Sequence, residues 1–118
     1  MTQTAWPTEL KVNAARNGLA IRFDDGQFYE LEAELLRVLS PSAEVQGHSP
    51  DQRVTVWGKR NVAIKAMVPV GNYAVRIVFD DGHDTGIFTW AYLAELGRDS
   101  AALWAGYEAE LKQKGLTR

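Results

Sequence analysis

The chain of 118 residues contains no cysteine and only two histidines. The absence of cysteine excludes disulfides, thiolate nucleophiles, cysteine-based zinc sites and cysteine-ligated iron–sulfur clusters. Any bound metal ion must therefore rely on histidine, aspartate or glutamate. The sequence also lacks a Gly-x-Ser-x-Gly segment and a phosphate-binding glycine loop, which removes the usual signatures of a Ser–His–Asp hydrolase or a nucleotide-binding enzyme. The residues predict a protein that is not an enzyme.

An excess of positive charge is missing as well. Thirteen basic residues against fifteen acidic ones give a net charge of -2 and an isoelectric point near 5.6. Because nucleic-acid affinity depends largely on concentrated Lys and Arg, a nucleic acid is not an expected partner. No apolar run approaches the roughly 18 residues of a membrane span, and the first residues do not have the pattern of a signal peptide. We therefore expect no membrane association and a cytoplasmic location.

The composition that is present is typical of a globular protein. Hydrophobic residues make up 46% of the chain and charged residues 24%, a balance that can form a buried core. A chain of this length fits one domain, so residues 1–118 are predicted to fold as a single unit.

The most informative feature is a Phe-Asp-Asp-Gly sequence that occurs twice, at 23–26 and 79–82. Both copies lie between short apolar segments with the alternation of β-strands, and each unit ends in a segment with helical periodicity. Strands are predicted at 9–14, 19–23, 28–31, 61–70, 73–79 and 87–88, and a further short strand at 54–57. Helices are predicted from Glu32, from Trp90 up to a stop at Gly97, and after Asp99 or Ser100.

These elements predict an α+β fold. We expect an antiparallel sheet, built from hairpins and a meander, with two or three helices packed against it. The strand–turn–strand–helix unit is pseudo-duplicated within the one domain.

Only the second turn continues into a histidine. In an extended segment Asp81 and His83 share a face while Asp84 points away, and a carboxylate beside an imidazole is suited to orienting it for metal binding. The other histidine, His48, lies in the irregular stretch 40–60. One hypothesis is therefore a divalent-metal site for iron or zinc, formed by His83, His48, Asp81 and Asp84 if the fold brings them together.

The stretch 40–60 is the longest one without clean periodicity. Loops of this length in small domains are often functional, although a plain surface crossover has the same appearance. Our leading hypothesis is a non-enzymatic binding or adaptor domain that recognises a protein partner through this stretch and the His83 turn. No cofactor is required, and the oligomeric state is left open. The predicted contact residues are Ser40, Ser42, Glu44, His48, Trp57 and Tyr73.

Three segments resemble a known family: 36–48 (LRVLSPSAEVQGH), 71–75 (GNYAV) and 79–86 (FDDGHDTG), together with Trp90 and Leu93. They are similar to a bacterial family of small proteins of unknown function that resemble the N-terminal domain of gamma-butyrobetaine hydroxylase. The resemblance covers nearly the whole chain. Similar domains are fused to nucleotide-binding proteins of iron–sulfur cluster assembly, which implies an accessory role for this one.

The resemblance also carries expectations about metal and catalysis. In the hydroxylases the domain precedes an iron and 2-oxoglutarate oxygenase domain, which this sequence lacks, so hydroxylase activity is not transferred. The hydroxylase domain holds a structural zinc through three cysteines and a histidine, whose positions correspond here to Ser40, Ser42, Val45 and His83. Because serine hydroxyls and valine cannot replace thiolates, that zinc site is expected to be lost.

Overall fold

The computed structural model describes residues 6–42, 45 and 55–118. The elements in this part of the chain are the strands β1 (Pro7–Val12), β2 (Gly18–Phe23) and β3 (Phe28–Glu32), helix α1 (Ala33–Val38), the strands β4 (Ile64–Val70), β5 (Ala74–Phe79) and β6 (Gly86–Thr89), and the helices α2 (Trp90–Arg98) and α3 (Ser100–Lys114). Within the same residues, no helix is long and apolar enough to cross a bilayer.

The strands form two antiparallel meanders, β1-β2-β3 and β4-β5-β6, and each is followed by a helix. The predicted α+β class and the repeated unit are confirmed. The strands belong to two three-stranded sheets instead of one. The sheets are connected by hydrogen bonds from a turn residue and not by a pair of strands. Arg16, in the β1–β2 turn, donates to the carbonyls of Ile64 (2.7 Å) and Lys65 (2.6 Å) and accepts from the Ile64 N–H (2.8 Å).

The core lies between the inner faces of the two sheets and the helices. Every second residue of β2 and β5 is buried there, as the period of a strand requires: Leu19, Ile21, Phe23, Val75, Ile77 and Phe79. Helices α1 and α2 add Leu35, Leu36, Leu93 and Leu96 to the same cluster. A second cluster seats α3 and consists of Val38, Val45, Val56, Tyr107 and Leu111.

A bulge in β4 changes which of its side chains face the core. Ile64 pairs with Phe79 and is fully buried, but the next pair is Ala66 with Val78, so one residue of β4 is skipped in the register. The alternation that predicted strand 61–70 therefore does not place Ile64 and Ala66 on one face. A bulge shifts the following side chains to the opposite face, and Ala66 and Val68 point outward.

The structure corrects the predicted end of one helix and one predicted strand. Gly97 does not stop the helix, since α2 continues to Arg98. The reason for a glycine is packing: a Cβ at position 97 would lie 2.3–2.7 Å from the Tyr29 side chain. The segment 55–57 forms no strand, and Val54 lies outside the described residues.

One buried carboxylate connects α1 to α3 and the last residue. Glu34 is 4% exposed. It accepts a hydrogen bond from the Tyr107 hydroxyl (2.8 Å) and is paired with Arg118, whose Nη2 lies 2.8 Å from Oε1. The Arg118 guanidinium also stacks over Trp104, 4.9 Å from the ring centroid. A buried charge is tolerated where it is paired and hydrogen-bonded in this way.

Candidate functional site

The two Asp-Asp-Gly turns have the same geometry. In the second turn the Phe79 N–H donates to the His83 carbonyl (2.9 Å) and the Gly82 N–H donates to the Phe79 carbonyl (3.2 Å). The first turn repeats these bonds at 2.8 and 3.1 Å, between Phe23 and Gln27 and between Gly26 and Phe23. Both turn glycines have φ +93°, a conformation that residues with a Cβ rarely adopt. The two copies therefore differ in side chains and not in backbone.

The difference lies at the residue that follows each turn. In the first copy it is Gln27, which is exposed, and in the second it is His83, which is only 6% exposed. His83 Nε2 lies 2.9 Å from the Ser40 hydroxyl and 3.3 Å from the Ser42 hydroxyl. Both serines are buried. The imidazole thus joins the β5–β6 turn to the segment that follows α1.

Gly86 makes the approach of Ser40 possible. A Cβ at this position would lie 2.3 Å from Ser40 Oγ and 3.1 Å from the Phe88 ring. Ser40 therefore occupies the space that a side chain at the start of β6 would need. The cluster of His83, Ser40, Ser42 and Gly86 is a close-packed polar contact inside the domain.

The geometry of this cluster favours a structural role over a catalytic one. A Ser–His hydrogen bond is part of many nucleophilic sites, but Ser40 has 0% exposure and His83 has 6%, so a substrate could not reach the hydroxyl. A buried imidazole must have its polar atoms satisfied, and hydroxyls can serve either ring tautomer because they both donate and accept. The pair is suited to fixing two segments together.

Asp81 serves the turn and two cations. Its Oδ1 accepts from the His83 backbone N–H (3.0 Å), as Asp25 does from Gln27 in the first turn. Its Oδ2 pairs with Arg37 Nε (2.8 Å) and Lys59 Nζ (2.7 Å). Burial alone would raise the pKa of Asp81, but the hydrogen bonds from Lys59, the His83 N–H and Arg37 outweigh burial and lower the pKa to about 2. The carboxylate is therefore ionised and its charge is already compensated.

The structure does not bring the described members of the predicted metal set together as ligands. Asp84 is directed to Arg76, whose Nη1 lies 3.0 Å from the Asp84 carbonyl and 3.8 Å from its carboxylate. Asp81 is taken up by cations, and the hydrogen-bond partners seen for His83 Nε2 are serine hydroxyls. In residues 6–42, 45 and 55–118 there is no group of three or more His, Asp or Glu side chains that could hold a metal ion. His48 lies outside these residues.

The residues that were predicted to contact a partner do not lie on one surface. Ser40 and Ser42 lie in the interior, while Trp57 and Tyr73 are each 54% exposed. Tyr73 precedes β5 and His83 follows it, so the length of the strand, roughly 20 Å at about 3.3 Å per residue, separates them. Glu44 and His48 lie outside the described residues.

A surface on the outer side of the second sheet was not predicted from the sequence. The register places eight residues on this side, of which Ala74 is fully buried and Thr89 is polar. The other six are what we call the second outer face: Ala66, Val68, Val70, Arg76, Val78 and Ile87. Val68 is 38% and Ile87 42% exposed. The signal in the sequence was that apolar residues occupy successive positions in β4 and β5. A strand with one side exposed to solvent alternates apolar and polar residues instead.

The matching side of the first sheet has the usual polar character. Its outward residues are mostly charged: Glu9, Lys11, Arg22, Glu30 and Glu32. The large apolar residue on that side, Phe28, lies under the Arg22 guanidinium at 4.8 Å. Because the two sheets are copies of one unit, the apolar character of the second outer face is not a requirement of the fold.

A cleft of about 530 Å³ lies elsewhere, beside the first sheet. Its charged lining residues are of both signs: Lys11, Glu30, Glu32, Glu34, Arg60 and Arg118. It contains none of the residues of the His83 cluster. The cleft is therefore separate from the candidate site, and its volume alone does not make it a functional site.

These features define a small α+β domain with a duplicated turn, a buried histidine–serine contact and one apolar sheet face. The family model described as "Gamma-butyrobetaine hydroxylase-like, N-terminal" matches residues 10–94, and the chain belongs to this family. A search of curated proteins found no match.

Solved structures support the same assignment. Two NMR solution structures are similar, with TM-scores of 0.84 each: one is 45% identical and is matched over 98% of this chain and 91% of its own, the other is 48% identical over 100% and 90%. A crystal structure of a protein of unknown function from Acidithiobacillus ferrooxidans, of the DUF971 family, has 35% identity and a TM-score of 0.67 over 82% of this chain and 98% of its own.

Proposed function

We propose that the protein is a non-enzymatic adaptor domain that binds a protein partner through the second outer face. The observation that carries the proposal is the contrast between the two sheets, because copies of one unit present charged residues on one side and Val68, Val78 and Ile87 on the other. A contiguous exposed apolar patch bordered by polar residues is a candidate interaction site. The cytoplasmic location and the absence of a catalytic step are parts of this proposal.

The buried cluster supports this role indirectly. His83 and Ser40 fix the β5–β6 turn to the body of the domain, and Asp81 ties the same turn to Arg37 and Lys59. A sheet held at this end is a preformed surface, which lowers the entropy cost of binding. The residues first expected to touch a partner, Ser40 and Ser42, would then support the surface from inside.

Affinity capture with three baits tests the proposal: the wild-type protein, Ile87→Glu and Phe28→Glu. Both substitutions introduce a carboxylate at a strand residue that is 42% exposed, one on each sheet, so they are matched in chemistry and burial. We expect at least one protein from an extract of the source cells to be retained by wild type and Phe28→Glu and lost by Ile87→Glu.

A captured protein counts only if it binds directly. Titrated as a pure protein into the ¹⁵N-labelled domain, it should shift the amides of Val68, Val78 and Ile87 and leave those of β1–β3 in place. Spectra of both variants must first show the wild-type fold. If Ile87→Glu retains every protein that wild type captures, the second outer face is not the binding surface and the proposal fails.

A further inference from the structure

The dimensions of the second outer face restrict what can cover it. Three strands spaced about 4.8 Å apart form a strip roughly 10 Å wide between the outer strands, and β5 is about 20 Å long. The strip therefore covers on the order of 200 Å² in plane. Stable dimers bury about 800 Å² on each partner, so a second copy of this chain could not form a stable dimer through this strip alone. The strip has the size that one secondary-structure element of a partner covers.

One α-helix matches the strip. A helix has an overall diameter of about 10 Å and rises 1.5 Å per residue, so three to four turns span about 20 Å. Covering an apolar sheet face with a helix is also the packing that this domain uses on its inner side, where Leu93 and Leu96 of α2 lie in the core with the sheet residues.

A single charge lies within the apolar strip. Arg76 pairs in register with Val68 on one side and Ile87 on the other, so its stem is flanked by apolar side chains. Its Nη1 is anchored by the Asp84 carbonyl at 3.0 Å, and the Asp84 carboxylate is more distant at 3.8 Å. Its side chain is 36% exposed. An apolar ligand that covers Val68, Arg76 and Ile87 would bury the Arg76 guanidinium, whose charge Asp84 compensates only weakly. This burial costs free energy unless the ligand supplies a carboxylate.

We propose that the partner presents an amphipathic helix of three to four turns whose apolar side carries one acidic residue, placed to pair with Arg76 between Val68 and Ile87. This inference rests on the proposed adaptor function and adds the chemistry of its ligand. The helix supplies the contact area, and the carboxylate sets its register along the strip.

Two synthetic helical peptides of 15 residues test the inference with the full chain. They share one apolar side and differ only at its central residue, Glu in one and Lys in the other. Titrated into the ¹⁵N-labelled protein, the Glu peptide should shift the amides of the second outer face and bind about fivefold more tightly than the Lys peptide, the ratio that a partly exposed ion pair supplies.

Charge reversal sharpens the test. In Arg76→Glu the preference should invert, so that the Lys peptide binds more tightly. Arg22→Glu, a reversal on the outer side of the first sheet, should leave the original preference unchanged. Equal affinity of both peptides, shifts confined to other surfaces, or a concentration-dependent dimer that Ile87→Glu abolishes would each overturn the inference.

The outcomes separate this inference from the adaptor proposal. If Ile87→Glu loses its captured partner but neither peptide binds the second outer face, the domain is an adaptor and its ligand is not such a helix. If Ile87→Glu loses no partner, the adaptor proposal itself fails, whatever the peptides do.

Discussion

The replacement Asp81→Asn isolates the part that charge plays at the His83 turn. Asparagine retains an oxygen that can accept from the His83 N–H, so the turn should persist. What it removes is the negative charge that Arg37 and Lys59 share at 2.8 and 2.7 Å. Asp25→Asn is the matched control, because Asp25 makes the same backbone bond at 3.0 Å and has no ion pair within the described part of the chain.

The magnitude follows from the pKa of Asp81. The value of about 2 in the folded protein lies below the ordinary value of 3.8, so folding favours the ionised carboxylate. A difference of nearly two pKa units corresponds to at most about 2.5 kcal/mol. Because the turn is open to solvent, screening reduces this, and we expect about 1 kcal/mol. Since the folded pKa is depressed, this stability is present above pH 4 and is lost as the pH falls towards 2.

Urea unfolding at pH 7, 5, 3 and 2 measures this contribution. At pH 7 the free energy of unfolding of Asp81→Asn should be about 1 kcal/mol below that of wild type, and at pH 2 most of this difference should be gone. Asp25→Asn should stay within about 0.5 kcal/mol of wild type at every pH. Equal losses in the two variants, or a loss in Asp81→Asn that persists at pH 2, would show that the turn geometry and not the charge is what matters.

Three further outcomes are expected, from the packing, from the Tyr107 pKa and from the resemblance to the hydroxylases. Gly97→Ala should lower the free energy of unfolding by about 1–2 kcal/mol in urea because of Tyr29, whereas Gly106→Ala, whose Cβ would meet nothing within 4 Å, should raise it by about 0.5–1 kcal/mol. Burial and the Glu34 carboxylate raise the pKa of Tyr107, so wild type should lose stability above about pH 10 more steeply than Tyr107→Phe in alkaline melts; parallel curves would contradict this. The triple variant Ser40→Cys, Ser42→Cys, Val45→Cys restores the cysteines that the resemblance to the hydroxylases places at these positions. It should bind zinc in a chelator competition, whereas wild type and the same variant carrying His83→Ala should not.

The zinc variant also tests the meaning of the histidine cluster. The two serine hydroxyls already lie 2.9 and 3.3 Å from Nε2, close to the roughly 3.5 Å that separates ligand atoms around a tetrahedral zinc with Zn–S of 2.3 Å and Zn–N of 2.0–2.1 Å. Failure to bind zinc would mean that the segment 40–45 does not have the geometry that the resemblance implies.

Local patterns were sufficient for most of the fold. The turns at 23–26 and 79–82 were found because Asp and Gly are the residues that tight turns demand, and alternation located the strands around them. Helix α2 was placed correctly at its start because Thr89 accepts from the Tyr92 N–H as an N-cap. The end of the helix was not predicted correctly, because Gly97 is required by the packing of the Tyr29 side chain. Tyr29 lies 68 positions earlier in the sequence, and no local pattern predicts this contact.

The surroundings of the candidate site residues depend on distant segments. The sequence singled out His83, and the acids beside it suggested a metal site. The cations that pair with those acids, Arg37, Lys59 and Arg76, lie in other parts of the chain. A carboxylate can serve a metal, a cation or a turn, and the sequence does not say which of these the fold brings near. The second outer face was hidden for a similar reason, because a single bulge after Ile64 decides which residues of β4 point outward.

By itself the sequence determined the duplicated unit, the α+β class and the exclusion of thiolate chemistry, because these depend on residue type and on spacing within a few positions. Tertiary structure alone decided that His83 meets Ser40 and Ser42 across more than forty residues, that Asp81 is compensated by cations, and that the two sheets present opposite kinds of outer surface. Such contacts arise from the packing of distant segments, and the free energy of that packing depends on all of these segments together. The sequence of a single segment therefore does not predict it.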